Sequence, residues 1–258
     1  MLIDTIKWKM TQYGDLAKFG ISHNTFHELF SKSYRKKMYE TWMSLPFVAA
    51  EALGCRFSKR TPPMALREIF LENMYDVEGF VPSPGETVID VGANYGDSAI
   101  WWSVVKKARV IAFEPLKEVY DILKENVNLN NGKMDLHNFA LGDGGTIKGF
   151  TDGNMFMASS TKAQMAFISV TLDEFNVEAA DILKIDVEGF ELEVLFGAKE
   201  TIEKYRPKII IETHSVELRN KCDEFLMALN YKISAYGRIT HSDSNGMDEV
   251  QNLFYTPL

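Results

Sequence analysis

Several features that would assign this 258-residue chain to a particular class are scarce or missing. Its two cysteines, Cys55 and Cys222, lie far apart, with no C-x-x-C pair and no cluster with histidines. This spacing argues against a disulfide framework or a structural zinc site, and we expect two reduced thiols in a cytoplasmic protein. No apolar run approaches the ~20 residues of a membrane span. The first ten residues, MLIDTIKWKM, lack the pattern of a signal peptide.

An excess of positive charge is also missing. The formal net charge is −8 at pH 7, which argues against general nucleic-acid binding because phosphate backbones attract basic surfaces. We therefore expect no general nucleic-acid binding, and the partner expected below is a small-molecule or glycan acceptor. The sequence does not predict an oligomeric state.

The chain divides into a helical beginning and an alternating remainder. Leu66, Ile69, Phe70 and Met74 fall on one helical face of the stretch ALREIFLENMY, and the turn sequence PSPGE follows. We predict a helical extension over residues 1–80, covering the acceptor site, and a main domain over residues 81–258. In that domain short apolar runs alternate with helical stretches, which predicts an α/β fold with a seven-stranded, mostly parallel sheet.

Four acids fall at the C-terminal ends of predicted strands: Asp90, Glu114, Asp186 and Glu212. In open α/β sheets, ligands bind beyond these ends. Carboxylates brought together are electrostatically costly unless something compensates them. The pattern therefore predicts a ligand with positive charge or many hydroxyls, or a metal ion.

The loop GANYG, residues 92–96, follows the first of these acids. Its glycines let the backbone approach a ligand, and the next helix offers free N–H groups. The G-x-G-x-x-G pattern of dinucleotide sites is absent, and the acid before the loop suits a sulfonium or ammonium better than a diphosphate. Glu114 ends the next strand, where a carboxylate usually takes ribose hydroxyls. We expect S-adenosylmethionine to contact Asp90, Gly92, Ala93, Asn94, Gly96, Glu114 and, at the end of the predicted strand MDLHNFAL, Phe139 and Ala140.

Longer stretches resemble one protein family. The segments VIDVGANYGDSAIWWS, VIAFEP, DILKIDVEGFELEVLFGA and PKIIIETH are similar to the FkbM family of methyltransferases. The resemblance covers roughly residues 70–255, and KIDVEGFE is its most specific piece. Asn94 fits this family, whereas class I methyltransferases in general tend to have glycine there. The resemblance implies a class I methyltransferase (Rossmann-like) fold, S-adenosylmethionine as cofactor and a hydroxyl acceptor, which it does not identify.

Proton removal from that hydroxyl is expected near the transferred methyl group. Asp186 ends its strand there, and Glu188 lies in the following turn. Glu212 and His214 end the next strand, and with Asp186 they could hold Mg²⁺ or another divalent ion. Without a metal, His214 is the natural general base because its ordinary pKa is about 6.5. We favour that metal-free base, and Asp186, Glu188, Glu212 and His214 are the catalytic candidates.

Other interpretations of the sequence remain open. A nicotinamide-dependent oxidoreductase would use a similar sheet, and a binding assay with each cofactor would separate the two. A non-catalytic adenosylmethionine-binding module would be favoured by loss of Asp186 or of the glycine loop, and both are present. The stretch from Gly142 to Phe167 is expected to form a lid, built as a β-hairpin, over the acceptor. That acceptor could be a sugar hydroxyl, a lipid or polyketide hydroxyl, or a phenol.

Overall fold

The structure is a computed structural model that describes residues 32–131, 134–152, 155–158, 164–242 and 249–258. The first 31 residues of the predicted extension therefore lie outside the described residues. Within the described ranges, no helix combines the length and apolar character needed to cross a membrane. Cys55 and Cys222 are both buried free thiols.

The extension contributes helices α1 (Lys32–Ala52) and α2 (Pro63–Phe70). Helix α2 begins at Pro63, where the missing N–H costs nothing because first-turn N–H groups have no helical partner. Leu66, Ile69 and Phe70 are buried, as their spacing predicted. Met74 lies beyond the helix end and is partly buried against the same cluster.

Seven strands form the main sheet, in the order β10-β11-β9-β8-β1-β2-β3, and four form a smaller one, in the order β4-β7-β5-β6. All pairs in the main sheet are parallel except the two made by β11. The predicted seven-stranded, mostly parallel sheet is therefore confirmed. The strands are β1 (Thr87–Val91), β2 (Arg109–Phe113), β3 (Asp135–His137), β4 (Ala140–Leu141), β5 (Thr146–Asp152), β6 (Met155–Ala158), β7 (Met165–Val170), β8 (Ile182–Ile185), β9 (Lys208–Thr213), β10 (Tyr231–Ser242) and β11 (Glu249–Pro257).

Helices cover both faces of the main sheet. Alternate residues of a strand point to opposite faces, so Val88 joins one hydrophobic cluster and Ile89 joins another. Both strands at the centre, β1 and β8, are buried along their whole length. The covering helices are α3 (Asp97–Ile100), which continues as a π-helical turn (Trp101–Val105), α4 (Lys117–Leu129), α5 (Glu191–Gly197), α6 (Lys199–Tyr205) and α7 (Val216–Ala228).

The predicted strand MDLHNFAL is divided between two sheets. Strand β3 pairs with β2, whereas β4 pairs with β7. The chain turns at Asn138, whose Nδ2 donates hydrogen bonds to the carbonyl oxygens of Glu114 (2.8 Å) and Pro115 (3.0 Å). The expected hairpin between Gly142 and Phe167 is confirmed as the antiparallel pair β5–β6. Its role as a lid stays a prediction.

Candidate active site

The carboxyl ends of the central strands bring the predicted acids to one edge of the sheet. Asp90 is the fourth residue of β1, and Glu114 directly follows β2. Asp186 directly follows β8, and Glu212 is the fifth residue of β9. Because β2, β1, β8 and β9 are neighbouring parallel strands, their ends meet at the same edge, as the sequence predicted.

A cleft opens at this edge, where open α/β sheets usually bind their ligands. Five of the eight residues expected to bind the cofactor line the cleft, and so do two of the four catalytic candidates. Ala93, Gly96, Asp90, Glu212 and His214 are not among the lining residues. The expected residues in the lining are Gly92, Asn94, Glu114, Phe139, Ala140, Asp186 and Glu188.

Glu114 is held so that its carboxylate can still accept further hydrogen bonds. Its Oε2 accepts a bond from the backbone N–H of Asn94 (3.0 Å), and its Oε1 accepts one from that of Leu116 (2.9 Å). Each carboxylate oxygen can accept a second bond, so two hydroxyl groups on a ligand could bind here. Burial raises the pKa of Glu114 to about 7, although the bonds from Leu116 and Asn94 oppose that rise. The residue fits the ribose-binding role expected of it.

The loop from Gly92 to Gly96 carries three left-handed residues, with φ of +78° at Gly92, +49° at Asn94 and +83° at Gly96. A Cβ atom on Gly92 would lie 1.8 Å from the backbone oxygen of Asp186. Gly92 is therefore required for the contact between the β1 and β8 ends, and the sequence argument for backbone approach to a ligand missed this packing reason. Ala93 is buried, with 1% of its surface exposed.

Asp90 does not reach the cleft, which corrects the expected contact with the cofactor. It is fully buried, and its Oδ2 accepts a hydrogen bond from Ser98 Oγ at 2.6 Å. Lys184 Nζ lies 3.1 Å from Asp90 Oδ1 and 3.6 Å from Asp186 Oδ2, and donates to the Gly92 carbonyl oxygen at 2.7 Å. The carboxylate partners expected for a lysine inside a buried strand are thus present, and Asp90 helps to fix the loop.

His214 lies between carboxylates on both sides of its ring. Nδ1 is 3.0 Å from Glu191 Oε1, and Nε2 is 3.2 Å from Glu188 Oε2 and 4.0 Å from Asp186 Oδ1. A neutral imidazole donates from one nitrogen only, whereas the charged ring donates from both. Burial would lower the pKa of His214, but Glu191, Glu188 and Asp186 together outweigh it and raise the pKa to about 10. This geometry favours a charged ring over the neutral base with a pKa near 6.5 that the sequence predicted.

Glu191 is a site residue that the sequence reasoning missed. It is fully buried, and Oε1 accepts hydrogen bonds from the backbone N–H of Gly189 (3.0 Å) and, at 3.4 Å, of Val187. The turn it closes includes Glu188, whose φ is +57°. Its place within KIDVEGFE, the most specific piece of the family resemblance, was the available signal. Glu191 fixes both the turn after β8 and the ring of His214.

A metal ion would meet a different set of ligands from the one expected. Among the described residues, Asp186, Glu188 and His214 offer ligand atoms that all lie within 4.8 Å of one another. Glu212 instead accepts a hydrogen bond from Asn252 Nδ2 at 2.9 Å, and burial with the nearby charges of Asp186 and Glu68 raises the pKa of Glu212 to about 8. Glu188 thus replaces Glu212 in the set. To bind an ion, Nε2 of His214 would have to lose the proton that it shares with Glu188, because a protonated nitrogen has no lone pair for a metal.

Comparison with known proteins gives a family match over much of the chain. The family described as "Methyltransferase FkbM domain" matches residues 90–238. Methyltransferase sdnD of Sordaria araneosa is 25% identical over 199 residues, covering 60% of this chain and 76% of sdnD. Hexuronic acid methyltransferase AglP of Haloferax volcanii is 29% identical over 140 residues, covering 49% of this chain and 55% of AglP.

Other similar proteins differ more in length or sequence. The AMB antimetabolite synthetase AmbE of Pseudomonas aeruginosa is 24% identical over 57% of this chain, which spans 9% of AmbE. A crystallised FkbM methyltransferase from Methylobacillus flagellatus is 19% identical, with a TM-score of 0.48 over 81% of this chain and 58% of that one. The chain therefore spans between about a tenth and three quarters of the curated relatives it matches.

Proposed function

The chain belongs to the FkbM methyltransferase family, and we propose that it transfers a methyl group from S-adenosylmethionine to a hydroxyl group of a small molecule or glycan. The observation that carries this proposal is one cleft that Glu114, Asp186 and Glu188 all line. Glu114 would accept hydrogen bonds from ribose hydroxyls, and Asp186 or Glu188 would take up the proton of the acceptor. The class I methyltransferase fold brings these carboxylates to one edge of the sheet.

The proposed reaction asks little of the protein beyond orientation and removal of a proton. When bound, adenosylmethionine supplies a methyl group already activated by its sulfonium. We assign proton acceptance to Asp186, which lines the cleft and whose side chain is 28% exposed. Asp186 would accept the proton of the acceptor hydroxyl while that oxygen takes the methyl group from the bound cofactor, whose sulfur would keep the electrons of its former bond to carbon. His214 and Lys184 flank this carboxylate as fixed cations.

The acceptor class and the role of metals also belong to the proposal. The relative AglP is described as a hexuronic acid methyltransferase, which supports sugars as the first acceptors to test, before lipids and phenols. We propose a metal-free reaction, because carboxylates face both ring nitrogens of His214 and favour an imidazolium, which an ion would first have to deprotonate. Treatment with a chelator should then leave turnover unchanged. A cytoplasmic location is proposed from the two free cysteines.

Calorimetry tests the cofactor assignment directly. We expect one adenosylmethionine per chain, and Glu114→Gln should weaken binding roughly 10- to 150-fold, as expected for charge-assisted bonds of about 1.5–3 kcal/mol. Glu118→Gln, at an exposed position of α4, is the control and should bind normally. Binding of a nicotinamide dinucleotide in place of adenosylmethionine would favour the oxidoreductase. Adenosylmethionine binding without turnover on any acceptor class would favour the non-catalytic module.

A further inference from the structure

The N-terminal extension packs against the loop of residues 92–96, here called the cofactor loop. Tyr95, the fourth of the five residues in this loop, is 3% exposed. Its hydrophobic cluster also contains Val119 and Ile122 of α4, and Ala65 of α2 packs against that cluster. Ala65 lies well before residue 90, where the family match begins. The support of the cofactor loop therefore includes a part of the chain outside the matched region.

One buried amide joins the extension to the cofactor loop. Asn126 of α4 has no exposed surface, and its Oδ1 accepts a hydrogen bond from the backbone N–H of Ser58 at 2.7 Å. Its Nδ2 donates to Thr61 Oγ1 and to the backbone oxygen of Tyr95, both at 2.8 Å. The side chain thus connects residues 55–65, here called the bracing segment, with the middle of the loop.

The cofactor loop needs such support because of its backbone conformation. Three of its five residues are left-handed, and one of them, Asn94, is not glycine, so contacts with the surrounding structure help to hold this conformation. The same conformation directs the Asn94 N–H to Glu114. A shift of Tyr95 would therefore disturb Gly92, Asn94 and Glu114, which all line the cleft.

We infer that the bracing segment is a working part of the cofactor site, and that Asn126 is the positioning residue through which it holds the cofactor loop. This inference rests on the proposed function, because it assumes that the loop binds adenosylmethionine. It gives the extension a task distinct from covering the acceptor. A chain beginning at residue 81, the predicted domain boundary, would lack that support.

The test compares variants of two asparagines, Asn126 in α4 and Asn130 directly after it. Asn126→Leu removes the bond to the loop. Asn130→Leu is the matched control, because Asn130 also binds the extension, accepting from Arg56 N at 2.8 Å and donating to Arg56 O at 2.7 Å, but has no hydrogen bond to the loop. Both changes should lower the melting temperature. Only Asn126→Leu should raise the adenosylmethionine Kd, by about 2- to 10-fold, the range of one neutral hydrogen bond.

Hydrogen exchange of the loop amides provides a readout that needs no cofactor. Exchange at Asn94 and Tyr95 should quicken in Asn126→Leu and stay unchanged in Asn130→Leu. If Asn126→Leu does not fold, Thr61→Val removes only the hydroxyl bonded to the amide and should quicken exchange less. Unchanged exchange in the Asn126 variant, or equal quickening in both asparagine variants, would overturn the inference. Absence of adenosylmethionine binding in the unaltered chain would instead overturn the proposed function.

Discussion

At the residue scale, Asp90 and Glu114 show how position along a strand decides the task of a carboxylate. Asp90 pairs in register with Ala112, so Glu114 lies two residues further along its strand. Glu114 therefore lies beyond the end of its strand, whereas Asp90 lies within β1, beside Lys184 of β8. The sequence predicted both acids as strand-end residues. It could not predict the difference, because register depends on the partner strand.

Adenosylmethionine binding should release protons near neutral pH. Burial keeps the pKa of Glu114 at about 7 in the free protein, and a cationic ligand favours the ionised carboxylate. Binding should therefore lower that pKa and release a fraction of a proton at pH 6.5–7. Calorimetry in two buffers with different ionisation enthalpies measures this release. Glu114→Gln should abolish it, and an unchanged release in that variant would assign the proton to another group.

The ring of His214 should stay charged throughout the neutral range. Carboxylates face both of its nitrogens, and the pKa is raised to about 10. Nuclear magnetic resonance of the imidazole should show a doubly protonated ring from pH 6 to 8, with His214→Gln used to assign the signal. In that variant turnover should fall roughly 10- to 100-fold, as expected for loss of a charge-assisted bond. The shape of the pH–rate profile near pH 6.5 should be the same in both proteins, because the ring does not titrate there. A neutral ring at pH 7 would restore His214 as a base.

At the element scale, hydrophobic periodicity predicted strands and helices well where a segment packs within a single sheet or against one face of it. It failed at MDLHNFAL, whose apolar residues serve two sheets, because the hydrogen bonds of Asn138 that turn the chain are tertiary contacts. The turn after β8 was predicted as a site from its acids. The role of Glu191 could not be predicted, since helix position alone does not reveal a buried side chain directed back to its own turn.

The contact between the β1 and β8 ends should make Gly92 far less tolerant of substitution than another left-handed glycine. Gly85 has a φ of +90° with nothing within 4 Å of an added Cβ, so Gly85→Ala should cost only the conformational penalty of about 1–2 kcal/mol. Gly92→Ala adds a collision with the Asp186 backbone and should cost roughly 1–3 kcal/mol more. Chemical denaturation of both variants measures the difference. Equal losses of unfolding free energy would mean that the two strand ends separate easily.

At the scale of the whole molecule, the extension and the main domain share a core. Ala50, Leu66 and Phe80 belong to the same cluster as Val88 and Phe254. The apolar stripe of α2 predicted a buried face, but which surface it would bury depends on contacts between residues far apart in the chain. The boundary at residue 80 therefore separates two regions that differ in sequence pattern, although their side chains pack in one hydrophobic core.

The free protein should lose stability as pH rises from 5.5 to 8.5. Burial raises the folded-state pKa of Asp97 and Glu188 to about 7 and that of Glu212 to about 8, so the folded chain keeps protons that the unfolded chain releases above about pH 4. His214 acts in the same direction between its unfolded pKa of about 6.5 and its folded pKa of about 10. All four shifts therefore favour the folded state at lower pH.

The share of one such carboxyl over this range, about 2 kcal/mol, would lower the melting temperature by roughly 4–8 °C, which differential scanning calorimetry at the two pH values can measure. Glu212→Gln keeps an acceptor for Asn252 but removes one titrating group, so its melting temperature should depend less on pH. A melting temperature that rises toward pH 8.5 would show that these acids are already ionised in the folded chain. Saturating adenosylmethionine should stabilise the protein more at pH 8.5 than at pH 5.5, because its positive charge then compensates carboxylates that have lost their protons.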